Sequence, residues 1–458
     1  MFLPSLILLA VAHLGSSQQL YNAQQPLNPY DHSQGYQFDP LLHLPGISPY
    51  FDAVAFGLGH NAPSGCNVTA ASYIIRHSAI YANDEEYETY IKPFLKKLEK
   101  NKDDWSGPLE FMKHWQSPIL EDHLEDITPS GAEDAVRVGL HLLERYRDLV
   151  PTTKRILADK KARTYDTAKN FIKAFPNASE IELVRITKDK DGAMDALIPH
   201  KSCAAFNKEP GKNETAEFIS NYAPFVSNRL RPYTAFNLTD NDVVGLQQLC
   251  GYESAIKGTR SPICAVFNDA EWMAYEYAWD LKYAHMVGPL NPLSPYLGFP
   301  WLQAQTKLFS AIDSHDKAKE EDHDNKGPGW PKGQRLFLSF THREVPPFVA
   351  TALGIFNSSS TAKEEFPTDR INWTRAWKMS DLIPFLGHVG LEKLTCDASS
   401  GREGEFIRVI ANSAPRPIPN CQKGPSASCP FEDFKEIMRA GDDKYGDFHA
   451  VCGTKSRH

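Results

Sequence analysis

Two short segments combine residue types that can do chemistry. Arg76-His77 closes the apolar run Ser72-Tyr73-Ile74-Ile75, and His342-Arg343-Glu344 follows the apolar run Leu336-Phe337-Leu338-Ser339-Phe340. A guanidinium beside an imidazole can hold a phosphate dianion and attack its phosphorus. Both runs read as buried strands, and open α/β sheets bind ligands outside the carboxyl ends of their strands, so the two segments can meet at one sheet edge. The remaining histidines considered, His60, His114, His123, His141, His200, His285, His388 and His449, have no such setting and read as surface or hydrogen-bonded residues.

The elements around these segments describe an α/β chain. A helix is expected from Glu85 to Lys100, bent at Pro93. Ser130-Gly131-Ala132-Glu133 reads as a capping box that opens an amphipathic helix with Val136, Leu140 and Leu143 on one face, ending near Tyr146. Ala168, Phe171, Ile172 and Phe175 share a face of a further helix, about Thr164 to Phe175. From 188 to 329 strand-like runs are scarce and helical ones frequent (240–250, 269–285, 302–312), which reads as a mainly α-helical cap inserted into the core. A helix from Pro346 and two strands, Leu391 to Thr395 and Phe406 to Ala411, complete the core. The division expected is a signal peptide at 1–17, an extended arm at 18–47, core at 48–187, cap at 188–329 and core again at 330–458. The charged run His315 to Asp324 follows no metal-ligand spacing and reads as a solvated turn.

At 458 residues, 41% hydrophobic and 23% charged, the chain has an ordinary globular balance. A formal net charge of −8 argues against a nucleic-acid partner, so any phosphate site must be a local positive pocket on an acidic body. The short apolar run from Met1 to Leu14, followed by Gly15-Ser16-Ser17, reads as a cleaved secretory signal that leaves no membrane anchor. Six N-x-[ST] sequons, at Asn67, Asn177, Asn213, Asn237, Asn357 and Asn372, fit an extracellular protein. So do eight cysteines, 66, 203, 250, 264, 396, 421, 429 and 452, an even set with about 105 possible pairings.

Arg76-His77, Ile127-Thr128-Pro129-Ser130-Gly131, Arg163 placed eight residues before Phe171-Ile172-Lys173-Ala174-Phe175, and Cys264-Ala265-Val266-Phe267 with Glu271-Trp272 together resemble the secreted fungal histidine acid phosphatases, which include phytases. The resemblance implies an α/β fold with a mainly parallel central sheet, flanking helices and a helical cap. It implies that His77 is the nucleophile that forms a phosphohistidine, that Arg76 and Arg163 hold the phosphoryl oxygens, and that His342 donates a further hydrogen bond to them. It implies no metal and no other cofactor, and disulfides Cys66–Cys396, Cys203–Cys452, Cys250–Cys264 and Cys421–Cys429. Many members carry His-Asp at the second strand end. Here His342-Arg343-Glu344 is similar to the His-Ala-Glu of the inositol polyphosphate phosphatase branch, which makes Glu344 the expected general acid and then base.

Three positions depart from the family motif R-H-G-x-R-x-P: Ser78, Ile80 and Ala82. Ile80 removes a guanidinium from the phosphate cradle, and Arg343 is the candidate to replace it. The expected protein is a secreted phosphomonoesterase acting on a phosphorylated small molecule, phytate or a smaller ester. The competing expectation is a weakened or inactive phosphatase fold that binds phosphorylated or anionic ligands.

Overall fold

The computed structural model describes residues 38–55, 57–186, 197–313, 329–357 and 362–453; the expected signal peptide, most of the N-terminal arm and the charged run 315–324 lie outside them. The arm's last part is not an extended surface segment. Leu41, Leu44 and Ile47 are buried in the main core, and Pro40–His43 forms a 3₁₀ turn capped by Asp39, because three apolar side chains spaced three apart have a face to bury.

Eight strands form one sheet in the order β3-β2-β4-β1-β5-β6-β7, with β8 on β6. They are β1 (Cys66–Arg76), β2 (Arg155–Asp159), β3 (Glu182–Ile186), β4 (Leu336–Thr341), β5 (His388–Cys396), β6 (Gly404–Ala411), β7 (Ala414–Pro415) and β8 (Cys429–Pro430). The parallel character expected holds for β3, β2, β4 and β1, while β5 to β8 pair antiparallel, so the sheet is mixed. Apolar runs announce strands but not their direction; the short links between β5, β6 and β7 only allow reversal. Every residue of β4 is buried, as its unbroken apolar run requires of a strand covered on both faces.

Register brings the chemistry together. Arg76 lies opposite Thr341 and Ala158 opposite Phe340, so β1, β2 and β4 end at one level. The His77 amide donates to the Thr341 carbonyl at 3.0 Å, continuing the pairing one step beyond the strand.

Among the described residues nine longer helices flank the sheet or form the layer above its carboxyl edge. They are α1 (Lys92–Lys100), α2 (Pro129–Arg145), α3 (Ala162–Ile172), α4 (Lys212–Leu230), α5 (Asp240–Lys257), α6 (Asp269–Met286), α7 (Ser294–Asp313), α8 (Val345–Ala352) and α9 (Phe431–Tyr445). Before α1 the chain makes a π-helical stretch, Tyr87–Ile91, which is how a helical run absorbs Pro93 without a clash against the preceding turn. The capping box expected at Ser130 is absent. Thr128 caps α2, accepting from the Gly131 amide at 2.9 Å, and Pro129 takes the first helical position where its fixed φ and missing N–H cost nothing. The helix start presses on the loop after His77: a Cβ on Gly131 would lie 2.5 Å from the Ala79 carbonyl oxygen.

Helix α7 belongs with the sheet, although it falls inside the range expected for the cap. The Ser72 hydroxyl of β1 donates to Gln305 at 2.7 Å, and a Cβ on Gly298 would overlap the Phe348 carbonyl of α8. Four disulfides join Cys66–Cys396, Cys203–Cys452, Cys250–Cys264 and Cys421–Cys429, the pairing the resemblance implied. Among the described residues no helix is long and apolar enough to cross a membrane. Asn67, Asn213, Asn237 and Asn357 are exposed, whereas the Asn177 and Asn372 side-chain amides donate to the Thr153 and Glu365 carbonyls.

Candidate active site

Arg76, His77, Arg163, His342, Arg343 and Glu344, the six residues singled out in the sequence, line one small cleft of about 30 Å³ at the carboxyl edge of the parallel strands. Ile80, Asn83, Glu125, Lys208 and Tyr252 complete its wall.

His77 is 3% exposed and leaves the end of β1 directly. Its Nδ1 lies 2.9 Å from the Ser78 carbonyl oxygen, which accepts only if Nδ1 carries the proton. The neutral ring therefore keeps its lone pair on Nε2. Burial, followed by the charges of Arg76 and Arg163 and the neighbouring His342, holds its pKa well below the usual imidazole value, which favours the neutral ring. Arg76 donates from Nη1 to the Ile383 carbonyl at 2.6 Å and stacks over Phe385 at 4.5 Å. Burial and Arg343 pull its pKa down to about 10, and its Nε has no hydrogen-bond partner among the described residues.

The second imidazole is held from both sides. His342 Nε2 lies 2.6 Å from Asp159 Oδ2, and Nδ1 lies 3.2 Å from Arg163 Nη2. A guanidinium can only donate, so Nδ1 accepts and the ring's one N–H goes to Asp159. In this arrangement His342 Nδ1 accepts from Arg163, and Lys201 Nζ lies 3.1 Å from Nε2. Burial works to raise the Asp159 carboxyl, but His342 and Lys201 outweigh it and hold it down at about 2. Asp159 ends β2 and Arg163 sits in the first turn of α3, so one strand-to-helix turn delivers both.

Glu344 occupies the N-cap position of α8, yet its side chain makes no capping hydrogen bond. It faces Lys208 Nζ at 3.3 Å and His200 Nε2 at 4.0 Å. Burial would raise its carboxyl, but Lys208, His200, Arg343 and His342 together hold it well below the usual carboxylate range. Arg343 donates to Glu86 Oε1 at 2.6 Å, and the Tyr252 hydroxyl donates to the other Glu86 oxygen. Ile80 is 2% exposed and forms a β-bridge with Ile127, contributing an apolar patch to the wall.

The cleft is internally compensated. Arg163 pairs with Glu125, Arg343 with Glu86, Lys208 with Glu344 and His342 with Asp159. Arg76 is the exception, with no carboxylate at ion-pair distance among the described residues. Glu125 is held against Arg163 by a left-handed backbone (φ 68°), while the Asn83 amide donates to its other oxygen at 2.6 Å. Among the described residues no group of three or more His, Cys, Asp or Glu is placed to hold a metal ion.

A profile described as histidine phosphatase superfamily, branch 2, matches residues 67–412. The chain belongs to that family. Histidine phosphatases similar to it include an acid phosphatase of Komagataella pastoris, 26% identical over 475 aligned residues that cover 99% of this chain and 96% of the relative. Phytase A of Penicillium oxalicum is 26% identical over 456 residues, 92% of this chain and 94% of its own. The crystal structure of the phytase from D. castellii superposes with a TM-score of 0.78 at 23% identity, covering 96% of this chain and 93% of that one. A multiple inositol polyphosphate phosphatase of Bifidobacterium longum, in complex with inositol hexasulfate, superposes at 0.56 and 12% identity, covering 86% and 97%. At these identities the two structures establish the histidine phosphatase fold and nothing finer.

Several residues of this histidine phosphatase cleft were not apparent in the sequence. Asp159 closes the short apolar run Ile156-Leu157-Ala158, a weaker form of the signal at His77. His200, expected to be a surface or hydrogen-bonded residue, lies against Glu344. Glu86, Glu125 and Lys208 had no signal, since each is a charged residue in a helical turn or loop that only the folded chain brings to the cleft.

Proposed function

We propose that this chain is a secreted phosphomonoesterase working through a phosphohistidine at His77. The observation that carries the reading is the tautomer of His77: a lone pair on Nε2, beside an arginine that meets no carboxylate at ion-pair distance among the described residues, is suited to attack phosphorus. The ester dianion is taken by Arg76, with Arg163 braced by His342 and Arg343 braced by Glu86, and Arg343 stands in for the guanidinium missing at Ile80. Nε2 forms the P–N bond as the P–O bond to the alcohol breaks, and Glu344 gives its proton to the departing oxygen. Glu344 then takes a proton from water, which attacks the phosphohistidine and releases inorganic phosphate.

A dianion entering the cleft offsets the cations that depress Glu344, so substrate itself raises the carboxyl toward protonation. Four disulfides and the sequons support an oxidising, extracellular location.

One arrangement favours a second reading. The buried Ile80 and the four internal ion pairs suit a protein that binds phosphorylated ligands with little turnover. Phosphate release from p-nitrophenyl phosphate, followed across the acidic range, decides between them. Activity in wild type that His77→Ala abolishes is expected; a folded wild type without activity leaves the binding protein.

A further inference from the structure

Arg163 is the second expected phosphate ligand of the cleft, and a carboxylate already holds it. Of its terminal nitrogens, Nη2 lies 3.2 Å from His342 Nδ1 and Nη1 is paired with Glu125. Its Nε is buried and has no hydrogen-bond partner among the described residues. Glu125 lines the cleft together with His77 and Arg163, so a phosphoryl group that reaches His77 competes with this carboxylate for Nη1. The cleft's volume of about 30 Å³ is room for about two waters, less than the three non-bridging oxygens of a phosphoryl group occupy. Part of the wall must give way.

Glu125 is the wall carboxylate placed to do so. Glu344, the other one, is only 6% exposed and is paired with Lys208. Glu125 is 23% exposed and sits in the loop between the 3₁₀ turn Glu121–His123 and α2. Its amide donates to the Ala82 carbonyl at 2.9 Å, and its Oε1 accepts from Asn83 Nδ2 at 2.6 Å and from the Asp84 amide at 3.2 Å. Turning the carboxylate therefore parts Oε2 from Arg163 while Oε1 keeps its donors. The left-handed backbone at φ 68° is one that a glutamate seldom adopts, and such conformations persist where contacts impose them, typically at binding and switch sites.

Resting on the phosphate-binding part of the proposed function, we infer that Glu125 is a resident anion of the phosphate site. It occupies Arg163 until a phosphoryl group displaces it, and its charge sets how tightly the cleft binds phosphate. Glu125 acts through Arg163 and touches no reacting atom, so it is a positioning residue. A carboxylate that merely braced Arg163 toward the phosphate would act with the opposite sign, because losing its charge would weaken binding.

The test measures equilibrium binding of orthophosphate by titration calorimetry to wild type, Glu125→Gln and Glu125→Asp, at a pH above the ordinary carboxylate range, with Tm as the check on folding. Glu125→Gln keeps the shape without the charge and is expected to bind phosphate about tenfold more tightly, since one charge-assisted bond no longer competes. Glu125→Asp, which keeps the charge but shortens its reach toward Arg163, is expected to fall between. In p-nitrophenyl phosphate hydrolysis the KM and the inhibition constant for phosphate should fall together. Wild-type crystals soaked in phosphate should show the anion on Arg163 Nη1 and Glu125 turned away. Unchanged or weaker phosphate binding by Glu125→Gln overturns the inference, as does a bound phosphate with Glu125 still on Arg163. Absence of turnover in all three proteins refutes the phosphatase reading, and the binding titration then decides the role of Glu125 by itself.

Discussion

Replacing Lys208 by alanine should move the pH dependence of catalysis, because this lysine is the main fixed charge acting on Glu344. Lys208 Nζ lies 3.3 Å from Glu344 Oε1. His200 is 4.0 Å away, but burial drives its own pKa down to about 4, so it is mostly neutral at pH 5 and adds little. At 3.3 Å two unit charges interact by about 1.3 kcal/mol in water and about 5 kcal/mol at an effective dielectric of about 20. Lys208's side chain is 43% exposed, which puts the value near the lower figure, at about 1.5 kcal/mol or roughly one pKa unit. Losing a cation makes the carboxylate less stable, so its pKa rises. Every limb of the kcat profile that Glu344 sets, whether it acts as acid or base, should move up by about one unit in Lys208→Ala. The assay is kcat for p-nitrophenyl phosphate against pH for wild type and variant. A profile that stays in place, or moves to lower pH, would refute Glu344 as the titrating group held down by Lys208.

Two further outcomes follow from the same geometry. Arg343→Ala should lower kcat/KM for p-nitrophenyl phosphate by about ten- to a hundredfold, the loss of one charge-assisted bond; the double variant with Glu86→Gln separates this from the cost of an unpaired buried carboxylate, and unchanged kinetics in both would remove Arg343 from the phosphate site. Replacing Cys66 and Cys396 by serine opens a link 330 residues apart, and replacing Cys421 and Cys429 opens one of 8. On the chain-entropy account these cost about 6 and about 2.5 kcal/mol, so thermal unfolding should show the larger drop in Tm for the first pair, and equal drops would count against that account.

The strand ends were legible because a strand buried on both faces is an unbroken apolar run, and the polar residue that stops it stands out. Arg76-His77 and His342 stand at such strand ends, whereas Asp159 ends the shorter, partly buried β2. Ser130 and Glu133 satisfy the capping-box pattern, which places the start of α2 two residues late; in the fold Thr128 is the cap and Gly131 approaches Ala79 closely. Helical periodicity says nothing about what a helix covers, so the sequence leaves α7 in the expected cap range, while Gln305 and Gly298 place it on β1 and α8.

The sequence by itself determined which chemical groups stand at the strand ends, that the second motif arginine is replaced by Ile80, and that the cysteines form an even set. Tertiary structure alone decided which carboxylate each cation meets. Arg343 could be read as a spare phosphate ligand, but only the fold seats it on Glu86 and Tyr252. Glu344 could be read as an acid, but only the fold brings Lys208 beside it. The reason is that a Coulomb energy depends on separation and burial, and both are set here by contacts between segments more than a hundred residues apart.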